Sequence, residues 1–206
     1  MLRALIAKRR AEPADDLISA LVAVEAEGDG RLTEPELIAN AMALLTAGHE
    51  TTTNLVGNGV LALLRHPDQL QLLRDDPALI PTAVEELLRF DGGVLNAPRA
   101  AAEDMVIGDK NVAAGERVML VLGAANRDPA KFPDADRLDV TRQPNEHLAF
   151  GVDSHFCLGA HLARMEAQVI LASLIDRFPG LRLSSETIDW HSNPAYRGLK
   201  ALHVAF

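Results

Sequence analysis

The chain has 206 residues, 48% apolar and 24% charged, with only 4% aromatic and a formal net charge of −9. That balance is the one globular proteins show, and the negative charge excludes general nucleic-acid affinity, which needs a basic face. One cysteine cannot form an internal disulfide, Met1-Leu2-Arg3-Ala4 lacks the apolar stretch of a secretory signal, and no apolar run approaches the roughly 20 residues that span a bilayer. A single cytoplasmic domain over residues 1–206, with no membrane partner, is expected.

Taken in order, Asp15-Asp16 ahead of LISALVAVEAEG predicts a short helix ended near Gly28. Thr33-Glu34-Pro35-Glu36 is a capping box with proline in the first turn. The helical pattern then runs to about Arg65, where His66-Pro67 stops it. A helix of near 30 residues is about 45 Å long, enough to cross a domain. Ala47, Gly48, Glu50 and Thr51 interrupt its apolar character. Glycine inside a helix costs about 1 kcal/mol relative to alanine, so Gly48 calls for a reason. The plain alternative is a polar stripe, with Thr51 bonding back to a backbone carbonyl.

Short helices are expected over 68–74 and 78–90. Small strands and a hairpin turn follow between 98 and 121, on Met105-Val106-Ile107-Gly108-Asp109-Lys110 and Gly115-Glu116. Residues 120–126 read as helical, and 127–146, rich in Pro, Asp and Arg, as a long loop of a kind more often functional than idle. An apolar-periodic run over 158–178 predicts a helix of roughly five turns or more. Strands over 181–183 and 199–204 complete a mainly α fold with small β-sheets.

Cys157 stands just before that last helix, where free N–H groups and the helix dipole favour thiolate over thiol. The preceding Phe150-Gly151-Val152-Asp153-Ser154 has tight-turn chemistry. Turn, thiolate and helix together would aim the sulfur outward, toward a metal. The bland reading is a buried cysteine acting as a small hydrophobe. His147, His155, Cys157 and His161 are residue types that suit zinc, although His161 reads better as a solvated helix residue. A cysteine hydrolase lacks an evident base–orienter pair.

The run Phe150-Gly151-Val152-Asp153-Ser154-His155-Phe156-Cys157-Leu158-Gly159 resembles the cysteine-ligand loop of the cytochrome P-450 family, the haem-thiolate monooxygenases. Asp153 stands where the family has a glycine; aspartate tolerates a left-handed backbone better than most residues, and its charge would disfavour an anionic sulfur unless it faces solvent. Thr46-Ala47-Gly48-His49-Glu50-Thr51-Thr52 resembles the family's oxygen-binding stretch, and Glu86-Leu87-Leu88-Arg89 its Glu-x-x-Arg pair. Smaller echoes are Arg99, Asn126-Arg127-Asp128-Pro129, Phe132-Pro133-Asp134, and Arg142 ahead of His147-Leu148-Ala149-Phe150.

The resemblance covers nearly the whole chain and corresponds to the C-terminal half of the family fold, built on a long central helix and a cysteine-loop helix. It implies haem b with Cys157 as axial iron ligand, Gly151 in the loop turn, Gly159 allowing close approach to the porphyrin and Phe150 packing on the sulfur side. His155 and Arg99 would neutralise the propionates. Gly48, with Ala47, would open a groove for dioxygen, Thr51 would assist protonation and Glu50 would relay protons. Glu86 and Arg89 would form a buried structural pair with Arg142 or, alternatively, Arg137. Val94, Leu95 and Asn96 would line the substrate. The implied reaction inserts one atom of dioxygen into a small apolar organic substrate, with electrons from a ferredoxin or flavoprotein. A truncated form is expected, with weak haem binding and poor coupling when isolated; the alternative is a catalytically inactive haem-binding or degenerate fragment serving as an interaction module.

Overall fold

The computed structural model describes residues 2–28 and 32–206, and three helices open it. α1 (Leu2–Ala11) lies outside the elements expected from sequence: Ile6 is its one buried residue, and its last turn carries Lys8, Arg9 and Arg10. Its helical state comes from packing on a neighbour, as the small core of Ile6, Val22 and Leu37 shows. α2 (Leu17–Ala26) is capped by Asp16, whose carboxylate accepts the Ser19 N–H at 2.8 Å. It stops just before Gly28, which takes the left-handed conformation (φ 66°).

α3 (Glu34–Arg65) begins at the capping box: the Thr33 hydroxyl and N–H both donate to the Glu36 carboxylate, at 2.7 and 2.8 Å. Those bonds hold the Glu36 carboxyl below its usual range. The helix runs 32 residues without a break. It contributes to two compact units, residues 1–50 and 51–206. Within the first, Arg10 bridges Glu25 at 2.9 Å and Glu34 at 3.3 Å, exposed pairs that add little stability.

In the second unit, α4 (Pro67–Asp75) starts on proline, whose ring and missing N–H end α3. A 3-10 turn (Pro77–Leu79) leads into α5 (Ile80–Asp91). α5 buries Ala83, Val84, Leu87 and Leu88 among Leu55, Val60, Leu63, Leu70 and Leu73, and it also buries Glu86 and Arg89. β1 (Asn96–Ala100) pairs antiparallel with β4 (Arg117–Val121), and between them β2 (Met105–Ile107) and β3 (Lys110–Val112) form a hairpin turning at Gly108 (φ 60°).

The helix expected over 120–126 is corrected. Leu120 and Val121 face Ala97 and Asn96 across the ladder, so strand pairing claims them and α6 keeps only Leu122–Ala125. The following residues carry turns but no helix or strand until a 3-10 turn at Asp153–His155. α7 (Ala160–Arg177) buries Ala160, Ala167 and Leu171 and leaves Leu162, Met165 and Val169 exposed. β5 (Arg182–Leu183) and β6 (Val204–Ala205) are shorter than the strands expected, with Leu199 outside them in an isolated bridge to Trp190. No helix among the described residues is long and apolar enough to cross a membrane.

Candidate functional site

The cysteine loop is closed by its own backbone. Gly151 N–H donates to the Leu148 carbonyl at 2.9 Å, Phe156 N–H to Asp153 at 3.0 Å, and Cys157 N–H to Phe150 at 2.8 Å. Two residues adopt left-handed backbone, Gly151 (φ 70°) and Asp153 (φ 51°). A Cβ at Gly151 would also lie 3.2 Å from the His155 carbonyl oxygen, so glycine is favoured there on both counts. Asp153 makes the second left-handed turn without a glycine, and its side chain is exposed to solvent.

α7 begins at Ala160, later than the 158 expected, because the Cys157 carbonyl first accepts the Ala160 N–H at 3.2 Å and Gly159 becomes the N-cap. Cys157 is exposed, and so are Val152, Phe156 and Leu158, the last at 88%. The bland reading of a buried cysteine is therefore overturned. A Cβ built on Gly159 meets nothing within 4 Å.

Beneath the loop, α5 carries two adjacent carboxylates with different tasks. Glu86 is fully buried and accepts from Arg89 Nε at 2.7 Å and Nη2 at 2.8 Å, from Arg142 Nε at 3.2 Å, from Asn145 Nδ2 at 3.1 Å and from Asp139 N–H at 3.0 Å. Arg89 also donates to the carbonyls of Asn126 and Ala135 at 2.8 and 2.9 Å. Of the two arginines left open by the sequence, Arg142 supplies its side chain and Arg137 only its carbonyl.

Glu85, not singled out from sequence, turns the other way. It accepts both prongs of Arg164, Nε at 2.7 Å and Nη2 at 2.9 Å, and lies 3.1 Å from His147 Nε2. Burial alone would raise its pKa, but the hydrogen bonds from His147 and Arg164 outweigh that and hold it at about 2. Arg164 also stacks on Phe150, 4.6 Å from the ring centroid. No sequence signal joins these residues, since Arg164 lies 79 positions from Glu85 on another helix. The zinc alternative is corrected here: among the described residues no three His, Cys, Asp or Glu side chains cluster to hold a metal. His147 is engaged by Glu85 instead, while His155 and His161 are exposed. Both His147 ring nitrogens are engaged, Nε2 by Glu85 and Nδ1 by the Ala149 N–H at 3.2 Å, so the imidazole has no free nitrogen to serve as a base.

Ala47, Gly48 and Glu50 lie in the first unit and Thr51 opens the second. Ala47 and Gly48 are exposed, Glu50 and Thr51 half-buried, and a Cβ on Gly48 meets nothing within 4 Å. In the second unit α3 presses on two glycines: a Cβ on Gly93 would sit 3.2 Å from the Thr51 carbonyl oxygen, and one on Gly198 would collide with the Asn54 amide at 2.1 Å. One turn on, Asn58 Nδ2 donates to the carbonyls of Asp91 and Arg197, at 3.1 and 2.9 Å. Asn58, also missed from sequence, thereby ties the end of α5, just ahead of Val94-Leu95-Asn96, to α3. Leu95 N–H donates to Ala195 at 3.1 Å, and Val94 bridges Tyr196. Arg99, in β1, donates to the Pro98 carbonyl at 2.9 Å and forms no salt bridge among the described residues.

Comparison with known proteins identifies the family. A family model described as Cytochrome P450 matches residues 2–188. Cytochrome P450 107B1 of Saccharopolyspora erythraea is 51% identical, over 98% of this chain and 51% of its own length. The 6-deoxyerythronolide B hydroxylase of the same organism is 46% identical, over 97% of this chain and 50% of its own. Among solved structures, the tirandamycin C-bound P450 monooxygenase TamI matches with a TM-score of 0.94 at 48% identity, covering 98% of this chain and 51% of that one. Ligand-free CYP164A2 of Mycobacterium smegmatis matches with a TM-score of 0.95 at 47% identity, covering 100% and 52%. The chain spans about half the length of the curated relatives it matches. Matched from end to end by such relatives, the chain belongs to the cytochrome P450 family.

Proposed function

We propose that this chain holds haem b through Cys157 and takes part in haem-thiolate monooxygenation of a small apolar organic substrate. The observation that carries the reading is the presentation of Cys157: an exposed thiol on a loop closed by its own hydrogen bonds, beside a glycine whose Cβ position is open. The residues present fit a flat, largely apolar dianion. Val152, Phe156 and Leu158 are exposed apolar neighbours, and Arg99 is a cation without a carboxylate partner among the described residues.

Haem b, when bound, supplies dioxygen activation and delivery of one oxygen atom to a C–H or C=C bond. Cys157 would donate thiolate electron density to the iron, the ligation that favours O–O cleavage. Arg99 and His155 would pair with the propionates. Gly48, beside Ala47, leaves room for dioxygen. Thr51 carries a hydroxyl proton, and the neighbouring Glu50 carboxylate would take a proton from solvent and pass it on as the carboxyl, which is general acid work. Val94, Leu95 and Asn96 would face the substrate, and a ferredoxin or flavoprotein would supply electrons. A cytoplasmic setting suits such a donor.

Reconstitution of the purified chain with haem, followed by the ferrous carbon-monoxide difference spectrum, tests this. A thiolate-type Soret band that disappears in C157A is expected. Haem uptake and a spectrum unchanged in C157A would overturn the reading.

A further inference from the structure

We propose that Arg164 is a positioning residue for the cysteine loop: gripped by Glu85 and laid on the Phe150 ring, it sets the aim of the Cys157 sulfur. The inference rests on the proposed function, because the target of that sulfur is haem iron. Among residues 150–159 Phe150 is the hydrophobic side chain that packs against the core of the second unit, so what orients Phe150 bears directly on the loop. The Phe150 carbonyl is in turn the acceptor of the Cys157 N–H, at 2.8 Å. The contacts therefore run without a gap from Glu85 on α5 to Arg164 on α7, then to Phe150 and Cys157.

The geometry requires an arginine. Both prongs of the guanidinium meet the two Glu85 oxygens, at 2.7 and 2.9 Å, while its carbon lies 4.6 Å from the Phe150 centroid. A planar fork can do both at once; an ammonium can do neither as well. The other ring neighbours are weaker anchors. Phe156, exposed, meets Phe150 edge-on at 6.3 Å. His147, tilted at 6.0 Å, is itself held by Glu85, so Arg164 and His147 both refer the ring to one carboxylate.

The test compares R164K, R164Q, F150L and F150L/R164Q in the 206-residue chain by two measurements. Without haem, amide hydrogen exchange is followed at Gly151 and Cys157, whose N–H groups close the loop. R164K and R164Q should both speed exchange at these two amides by at least about fivefold while the amides of α5 and α7 keep wild-type protection. R164Q should add nothing further in the F150L background, since both substitutions cut the same path. Wild-type protection in R164K, uniform acceleration throughout the unit, or additivity of the two substitutions would each overturn the proposal. With haem, R164K and R164Q should lower the fraction of ferrous carbon-monoxide complex showing the thiolate-type band; a wild-type fraction in both overturns it. Should the wild-type chain itself lack that band, the haem reading fails, and the exchange measurement still decides the role of Arg164.

Discussion

Replacing Glu86 with glutamine keeps the side chain's shape and removes the charge on which a buried cluster depends. The Glu86 and Arg89 side chains are both 0% exposed, and that of Arg142 only 11%. The carboxylate accepts two bonds from Arg89 and one each from Asn145 and Asp139 N–H, with Arg142 Nε shared between its oxygens. An amide offers one accepting oxygen, and its NH2 points at donors, so part of the Arg89 fork loses its acceptor. Breaking one member of a buried pair costs about 3–5 kcal/mol, because the remaining charge is left without compensation. At about 2–4 °C per kcal/mol for a domain of 150–250 residues, the melting temperature should fall by about 6–20 °C. The control is D109N, which breaks the Asp109–Lys110 pair, 83% and 77% exposed; it should cost less than about 1 kcal/mol. Thermal melts followed by circular dichroism, with urea titrations for the free energies, make the comparison. Adding R89M to E86Q should recover part of the loss by removing the stranded charge. An E86Q melt matching that of D109N would refute the reasoning, since burial would then not be setting the cost.

Acid should reveal Glu85. Its carboxyl sits at about 2, below the ordinary 4.5, so its contribution is fully present above about pH 4.5 and fades as pH falls toward 2. Its contribution is well under the roughly 3 kcal/mol the full shift would correspond to, because solvent screens this half-buried carboxylate. The urea-derived stability gap between wild type and E85Q should therefore narrow from about pH 5 to about pH 3, and a constant gap would contradict the assignment. G198A forces a Cβ against the buried Asn54 amide at 2.1 Å and should cost about 1–3 kcal/mol. G108A, at φ 60° with nothing within 4 Å, should cost about 1–2 kcal/mol through backbone strain alone. A structure of G198A showing Asn54 unmoved would reject the first account. G48A adds a Cβ into open space within a helix and should raise thermal stability by up to about 1 kcal/mol. If Gly48 serves dioxygen, the same variant weakens gas binding by the haem-loaded chain, and unchanged affinity would leave its presence unexplained.

Local features were readable directly from residue order. The Thr33–Glu36 cap, the long helix stopped at His66-Pro67 and the turn before Cys157 are each specified by residues a few positions apart. Backbone preference and hydrogen bonding act at that range, and Asp153 illustrates it: a side chain able to tolerate left-handed backbone was recognisable as such, and φ 51° is what it adopts. The Glu86–Arg89 pair was visible for the same reason, one helical turn separating its members. Its third partner, expected to be Arg142 with Arg137 as the alternative, is Arg142, and that choice depends on how a loop more than fifty residues away folds back. α1 escaped notice because a short helix with one buried side chain owes its order to contacts made elsewhere in the chain. Likewise, Leu120 and Val121 became strand once β1 lay beside them.

The grip of Glu85 on Arg164 joins residues 79 positions apart, and the contact of Asn54 with Gly198 spans a longer stretch still. No periodicity or motif encodes such pairs; they exist only where α5 meets α7 and where two glycines let the backbone approach α3. Residue order thus determined the chemistry on offer, a lone thiol ahead of a helix and a glycine within another. Packing decided which charges hold that thiol's loop in place, because a side chain's partner is fixed by the surface it is pressed against and not by its neighbours along the chain.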